Sequence, residues 1–235
     1  MDLSIVIPAF DEAGRIGASL ERVLAFLAER EEPWEVLVVD DGSRDATAEV
    51  VSGFRQRGVE LVRLPANRGK GAALRAGVAR TRGGRVLLSD ADLSTPMSDL
   101  PRLEAHLAEA DLVLGSRSVA SSRITRRQPL YRVLMGKTFN LLIRLLGVRG
   151  IHDTQCGFKL LRGDVARSLF ADLTVDRFAY DVELVWLARR RGLSVAEVGV
   201  SWENSPDSRV HVVRDSLRML RDVFLMRWRH RREAR

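Results

Sequence analysis

The stretch Leu3-Ser4-Ile5-Val6-Ile7-Pro8 decides how the rest of the chain is read. It is apolar, rich in β-branched residues and too short for a helix, the pattern of a buried strand. A polar cluster, Ala9-Phe10-Asp11-Glu12, closes it. Residues 13–30 then carry Ile16, Leu20, Val23, Leu24 and Leu27 at helical spacing. The same unit recurs along the chain. Trp34 to Val39 reads as a second strand ended by Asp40-Asp41-Gly42-Ser43, and Asp45 or Thr47 is placed to cap a helix running to about Arg57. Val59 to Leu64 and Val86 to Ser89 read as the third and fourth strands, with a helix over Lys70 to Arg80 between them. A helix near 99–109 leads to a fifth strand at Leu112 to Leu114. This alternation predicts an α/β fold: a mostly parallel central sheet, helices on both faces, right-handed crossovers.

After Gly115 the pattern changes. Residues 116–128 are polar and arginine-rich with no apolar period, and read as a mobile loop. Residues 129–147 predict a helix with Leu130, Leu134, Leu141 and Leu145 on one side. Asp153-Thr154-Gln155-Cys156-Gly157-Phe158-Lys159 reads as a polar turn before a short apolar segment. A helix around 180–191, a strand at 195–200 and a last helix from about 210 to 230 follow. No linker, repeat or low-complexity tract separates two cores, so 1–235 reads as one domain with a C-terminal helical elaboration.

The formal net charge of +7 and the pI near 10.5 hide an asymmetry. Residues 1–115 carry 14 Lys/Arg against 19 Asp/Glu, and residues 116–235 carry 24 against 12. Lysine occurs only at positions 70, 137 and 159, and the remaining 35 basic residues are arginines, whose planar guanidinium suits phosphate oxygens. The single cysteine, Cys156, excludes an internal disulfide framework and a multi-cysteine zinc site, and reads as a small buried residue. The four histidines are scattered, which disfavours a histidine metal cluster. The N-terminus lacks a basic leader, and no window approaches the roughly 18–20 uninterrupted apolar residues of a membrane span. The expectation is a cytoplasmic protein, soluble or peripheral on a membrane, with no transmembrane helix.

Ligands of open α/β sheets bind beyond the carboxyl ends of the strands. Four polar clusters fall there: residues 8–12, 40–43, Asn67-Arg68-Gly69-Lys70-Gly71, and Asp90-Ala91-Asp92. Two carboxylates spaced as Asp90 and Asp92 repel each other and converge on one hard cation, Mg²⁺ or Mn²⁺, of the kind that bridges to substrate phosphates. An isolated pair of this spacing is ordinarily a helix cap; its place after a buried strand favours the metal. Phosphate-loop NTPases are disfavoured, because Gly69-Lys70-Gly71 lacks the first glycine and the hydroxyl of that motif. Dinucleotide dehydrogenases are disfavoured too, since the first turn carries no G-x-G-x-x-G.

These clusters, in this order and followed by Gly115-Ser116-Arg117, resemble family 2 glycosyltransferases of the GT-A fold. The later segments, Asp153 to Lys159, Phe178-Ala179-Tyr180-Asp181-Val182-Glu183-Leu184, and Val198 to Trp202 ahead of Ser208-Arg209, are similar to dolichyl-phosphate β-glucosyltransferases, with dolichyl-phosphate mannose synthases next. The resemblance spans about residues 3–225. It implies a donor half over 1–115, an acceptor half over 116–209 and a basic amphipathic helix over 210–235. Pro8, Ala9, Phe10 and Glu12 match the nucleoside pocket, Val39 and Asp41 the residues that hold base and ribose, and Lys70 a further donor contact. Asp90, Ala91 and Asp92 match the donor and metal site, with Asp90 and Asp92 as metal ligands. Arg117 and Arg209 match basic residues that meet the phosphates, and Arg127 and Arg132 those that meet the acceptor phosphate. Asp92, Asp153, Gln155 and Arg117 are the implied catalytic set. Where mannose synthases have a metal-binding Gln two residues after the second Asp, this chain has Ser94. Asp181 and Glu183 read equally well as structural ion-pair partners of nearby arginines.

The implied reaction is an inverting transfer of glucose from UDP-glucose to a polyprenyl or dolichyl phosphate at a membrane surface. GDP-mannose as donor, or a soluble acceptor, are the alternatives, and self-association is left open. A nucleic-acid-binding protein, which the pI suggests, is disfavoured: no binding module is present, and clustered carboxylates repel a phosphate backbone. The C-terminal helix places Val213, Leu217, Leu220, Phe224 and Trp228 on one face, for which core packing and membrane docking are equally good readings.

Overall fold

The computed structural model describes residues 1–126, 150–203 and 212–232. In chain order the elements are β1 (Leu3–Ala9), α1 (Ile16–Ala28), β2 (Trp34–Asp40), α2 (Thr47–Ser52), β3 (Val59–Arg63), α3 (Lys70–Val78), β4 (Arg85–Leu88), α4 (Leu100–Leu107), β5 (Leu112–Ser116) and β6 (Arg123–Arg126). Then come β7 (Lys159–Arg162), α5 (Gly163–Ala171), α6 (Tyr180–Arg190), β8 (Val195–Gly199), β9 (Ser201–Glu203) and α7 (Val212–Arg232). The predicted 129–147 helix lies outside the described residues.

Seven strands form one sheet in the order β3-β2-β1-β4-β7-β5-β8. All neighbours are parallel except β7, which runs antiparallel to both β4 and β5. Strand alternation sends side chains to two apolar layers. Leu3, Ile5, Ile7, Val36 and Val38 face α1, α2 and α4, while Val6, Leu37 and Val39 face α3, α5, α6 and α7. Each fully buried Leu, Ile or Val side chain contributes roughly 1.5–3 kcal/mol. On α1, Ile16, Leu20, Val23, Leu24 and Leu27 are all buried, as their spacing predicts.

Two readings are corrected, over 116–128 and at the end of α2, and one is given its structure. The segment read as a loop over 116–128 contains β6, which pairs in parallel with β9 as a separate two-stranded ladder. It has no apolar period because Arg123, Ile124 and Thr125 stand at the surface rather than over a core. The short apolar segment after Lys159 is β7, and α5 follows at once from Gly163. The α2 helix ends at Ser52 and gives way to a 3₁₀ turn at Arg55–Arg57. Its Asp45 accepts the Thr47 N–H at 3.0 Å and, through the other oxygen, the Ala13 N–H at 3.1 Å, so one carboxylate steadies the starts of two helices.

Candidate active site

The sheet order reverses at β1. The chain leaves β1 for β2 and β3 on one side and returns to β4 on the other, which opens a crevice beyond the carboxyl ends of β1, β2 and β4. The antiparallel β7 starts at this same end, since Lys159 pairs with Leu88 and with Leu114. Its direction is what delivers residues 153–159 over the crevice.

Among the described residues two non-glycine residues have positive φ, Asp11 at 52° and Leu93 at 46°, and both lie in the turns that leave β1 and β4. Strained backbone of this kind persists only where surrounding contacts fix it. The Asp11 turn is held to the loop after β2 by Asp11 N–H on Ser43 Oγ (2.9 Å), Arg44 N–H on Asp11 Oδ1 (2.7 Å) and Glu12 N–H on Thr47 Oγ1 (2.7 Å). Arg15 bonds Glu12 and reaches Asp92 at 3.9 Å, and Ser19 Oγ donates to the Ala91 carbonyl at 2.6 Å. Those contacts join the β1 and β4 turns across the crevice.

Asp90 and Lys70 meet at its floor, with Lys70 Nζ 2.5 Å from Asp90 Oδ1. Burial is the largest influence on Asp90 and pushes its carboxyl up, but the Lys70 charge and hydrogen bond, with Lys159 and Arg117 beyond, hold it below the usual range. Burial likewise pushes Lys70 down, and Asp90 and Asp181 more than reverse it, so the ammonium stays charged. Asp92 accepts the Ser94 N–H at 3.0 Å, which closes the turn on the residue where the resemblance implies a ligand in mannose synthases.

Beside them, Arg117 forms a two-pronged pair with Asp153: Nε to Oδ2 at 2.7 Å and Nη2 to Oδ1 at 2.9 Å, with the Arg117 N–H also on Oδ2 at 3.0 Å. Asp153 is buried, which raises its carboxyl, yet Arg117 and the backbone donors bring it down to about 2. The Arg117 guanidinium lies 5.4 Å from the Trp202 ring centroid, so the arginine is held both in its plane and on its face. The Gln155 amide N–H donates to Asp153 Oδ1 at 3.1 Å, and its side chain reaches Met219 Sδ on α7 at 3.6 Å.

A second buried pair lies underneath. Lys159 is fully buried and bonds Asp181 and, at 2.5 Å, the Cys156 carbonyl. The Tyr180 ring lies between the two lysines, 5.9 Å from Lys70 Nζ and 5.8 Å from Lys159 Nζ. Gly157 passes so close to Asp90 that a Cβ there would stand 2.0 Å from Oδ2. Asp181 and Glu183 are therefore structural, but their partners are not arginines: Asp181 takes Lys159, and Glu183 takes the Thr174 and Val175 amides and His230. Cys156 is buried with its thiol pushed up by desolvation, as befits a core residue rather than a nucleophile.

The structure thus brings together Glu12, Lys70, Asp90, Asp92, Arg117, Asp153 and Gln155. Pro8 and Phe10 are half-buried at the rim, and Ala9 and Ala91 are buried beneath it. Two candidates have their side chains engaged within the fold. Val39 is fully buried in the layer under α3, which leaves its backbone at the end of β2 to face the crevice. Asp41 spends its carboxylate on the Arg68 and Gly69 amides, at 2.8 and 2.7 Å, where it shapes the loop before Lys70. Arg127, Arg132 and Arg209 lie outside the described residues. Sequence reasoning passed over Lys159, Gly157, Tyr180 and Trp202. A signal existed for Lys159: in a chain whose default cation is arginine, two of three lysines stand in this crevice.

Among the described residues no group of three carboxylate, histidine or cysteine ligands could hold a metal ion. Asp90 and Asp92 supply two hard oxygen donors, which fits a cation that takes its other ligands from phosphates and water.

Residues 4–170 match glycosyl transferase family 2. The chain is 35% identical over 244 residues to a dolichyl-phosphate β-glucosyltransferase of Dictyostelium discoideum, covering 97% of this chain and 74% of the relative. It is 37% identical to the protein of the same description in Drosophila melanogaster, covering 96% and 74% of the two chains, and 34% identical to that of Homo sapiens, covering 97% and 75%. Among solved structures, mannosyl-3-phosphoglycerate synthase from Rubrobacter xylanophilus superposes with a TM-score of 0.72 at 21% identity, over 100% of this chain and 75% of that one. Glucosyl-3-phosphoglycerate synthase from Mycobacterium tuberculosis, in complex with Mn²⁺ and uridine-diphosphate-glucose, superposes with a TM-score of 0.70 at 21% identity, over 96% and 78%. These structures share the GT-A fold.

Proposed function

The chain belongs to glycosyl transferase family 2, and from that premise we propose that it transfers glucose from UDP-glucose to a polyprenyl or dolichyl phosphate at a membrane surface. The observation that carries the sugar and the acceptor is the likeness over nearly the whole chain to dolichyl-phosphate β-glucosyltransferases. The chemistry of the crevice is consistent with it. Glu12 and the β1 turn form the nucleoside side, and Lys70, Asp90 and Asp92 the diphosphate side. Asp90 and Asp92 would hold Mg²⁺ or Mn²⁺, which when bound neutralises the diphosphate as it leaves the sugar.

This chain's own residues do the rest. Lys70 and Arg117 lie on either side of Asp90 and offer positive charge to the leaving phosphates. Asp153 fixes the plane of Arg117 and leaves Nη1 for a phosphate oxygen. An acceptor phosphate oxygen attacks the sugar face opposite the leaving group, which inverts the anomeric carbon. A phosphate monoester has a second pKa of roughly 6 and is already largely ionised at neutral pH, so no strong base is required. On this reading residues 1–115 form the donor half and 116–209 the acceptor half. No helix among the described residues is long and apolar enough to cross a membrane.

The test is to incubate the purified protein with a panel of labelled sugar nucleotides and a short polyprenyl phosphate. Label from UDP-glucose should appear in a lipid-linked sugar. Label only from GDP-mannose, or only in a soluble acceptor, would overturn the donor or the acceptor.

A further inference from the structure

We propose that the outward face of α7 is a docking surface for an anionic lipid bilayer; this rests on the reading of the acceptor as a membrane-borne phosphate. The helix is two-faced. Met219, Val223, Met226 and His230 recur at helical spacing and are buried against the sheet layer. His230 Nε2 lies 2.7 Å from the buried Glu183 carboxylate, and the Arg190 guanidinium donates to the His230 carbonyl at 2.9 Å. The inner face is thus committed to the core, and it is a different face from the one carrying Phe224 and Trp228.

The opposite face carries Arg221, Phe224, Leu225 and Trp228, again one helical stripe. Phe224 is 60% exposed, Leu225 40% and Trp228 53%. Six large hydrophobic residues are exposed among the described residues, and half of them stand within these five positions. Scattered exposed apolar residues are ordinary; a cluster on one stripe is not. Its surroundings select the occupant. The helix has seven arginines against two aspartates. Arg221 and Arg229 are exposed at the apolar stripe, whereas Asp222 is largely shielded and paired with Arg221. Along the edge of the stripe, Arg177, Arg221 and Arg229 line a cavity of about 190 Å³ with Leu225 at its side; its two acids, Asp222 and Asp176, are paired with Arg221 and with Arg68 and Arg75, which leaves the arginines in excess. Aromatic and aliphatic groups framed by arginines, with a shielded acid, complement an anionic interface rather than a neutral or cationic one.

Co-sedimentation of the full chain with phosphatidylcholine vesicles, with and without phosphatidylglycerol, tests this. The protein should pellet with the anionic vesicles, and the exposed-face double substitution Phe224→Ser/Trp228→Ser should weaken binding at least about tenfold while the thermal melt stays that of the parent. Equal pelleting of parent and variant would overturn the proposal. So would a dimer, seen by light scattering and lost in the variant, since a second copy would then be the occupant. Transfer to a short polyprenyl phosphate in detergent, on the same samples, separates the two readings. Docking without transfer leaves this face standing and removes the lipid acceptor; transfer without docking does the reverse.

Discussion

Lys70 Nζ sits 2.5 Å from Asp90 Oδ1 and neutralises one of the two carboxylates best placed to meet a cation. The pairing holds Asp90 ionised, and on the proposed function Lys70 also faces the donor phosphates. Lys70→Met should lower kcat/KM for the sugar nucleotide by roughly 100-fold with an unchanged circular dichroism spectrum. Lys70→Arg should fail to restore it, because a planar guanidinium does not replace a compact ammonium between Asp90 and the Tyr180 ring. Steady-state kinetics on the two variants checks both statements.

Gly157 is needed for its missing side chain. A Cβ there would meet Asp90 Oδ2 at 2.0 Å and Oδ1 at 2.5 Å. Gly157→Ala must therefore displace Asp90. The expected cost in stability is about 1–3 kcal/mol, while transfer falls far more than that loss explains. Denaturant unfolding alongside initial rates will separate the two.

Asp153 gives a pH dependence with a definite sign. Its folded carboxyl is brought from 3.8 down to about 2 by Arg117, against the opposing pull of burial. A depressed acid contributes stability above its unfolded pKa and loses it as pH falls through the folded one. The contribution is roughly 2 kcal/mol at neutral pH and should disappear between about pH 4 and pH 2. Asp153→Asn should flatten that part of the stability curve. It should also cost roughly 1–3 kcal/mol overall, because the half-buried Arg117 loses its charged partner. Urea unfolding as a function of pH measures both.

Glu183 ties the C-terminal helix to the donor loop. It accepts the Thr174 amide at 3.0 Å and the Val175 amide at 2.8 Å, and meets His230 at 2.7 Å. The next residue, Asp176, accepts the Ala72 N–H on its carbonyl at 2.9 Å and pairs with Arg75 and Arg68. Glu183→Ala should destabilise the fold by roughly 3–5 kcal/mol and weaken donor binding as well. His230→Ala, which leaves the amides paired, should release α7 to limited proteolysis and spare donor affinity. Calorimetry with UDP-glucose and a protease time course distinguish the variants.

Much of this was legible in the sequence because parallel strands buried on both faces announce themselves as apolar runs. Leu3–Ala9, Trp34–Asp40 and the polar ends that follow them were found within a residue or two. Asp90 and Asp92 were legible for the same reason, as polar residues that follow a run which must be buried. What escaped depends on long-range pairing. Nothing local in Lys159-Leu160-Leu161-Arg162 says that it runs antiparallel between β4 and β5, and that direction alone puts Gly157 against Asp90. Arg123–Arg126 escaped because a surface ladder has no buried face to impose a period. Position in a motif does not say which way a side chain turns, and strand alternation turns that of Val39 into the core. Charge likewise needed the fold: Asp181 and Glu183 read as ion-pair partners of nearby arginines, and they are buried with Lys159 and His230 as partners 22 and 47 residues away.

The central claim is that Asp90 and Asp92 hold a divalent cation for glucosyl transfer to a lipid phosphate. Its most direct test is the initial rate of lipid-linked glucose formation from radiolabelled UDP-glucose, with Mn²⁺ or Mg²⁺ present and then chelated, for the parent chain and Asp92→Ala. The account predicts that chelation silences the parent and that the folded variant loses at least about 1,000-fold in rate. Full turnover in folded Asp92→Ala, or a parent rate untouched by chelation, would contradict it.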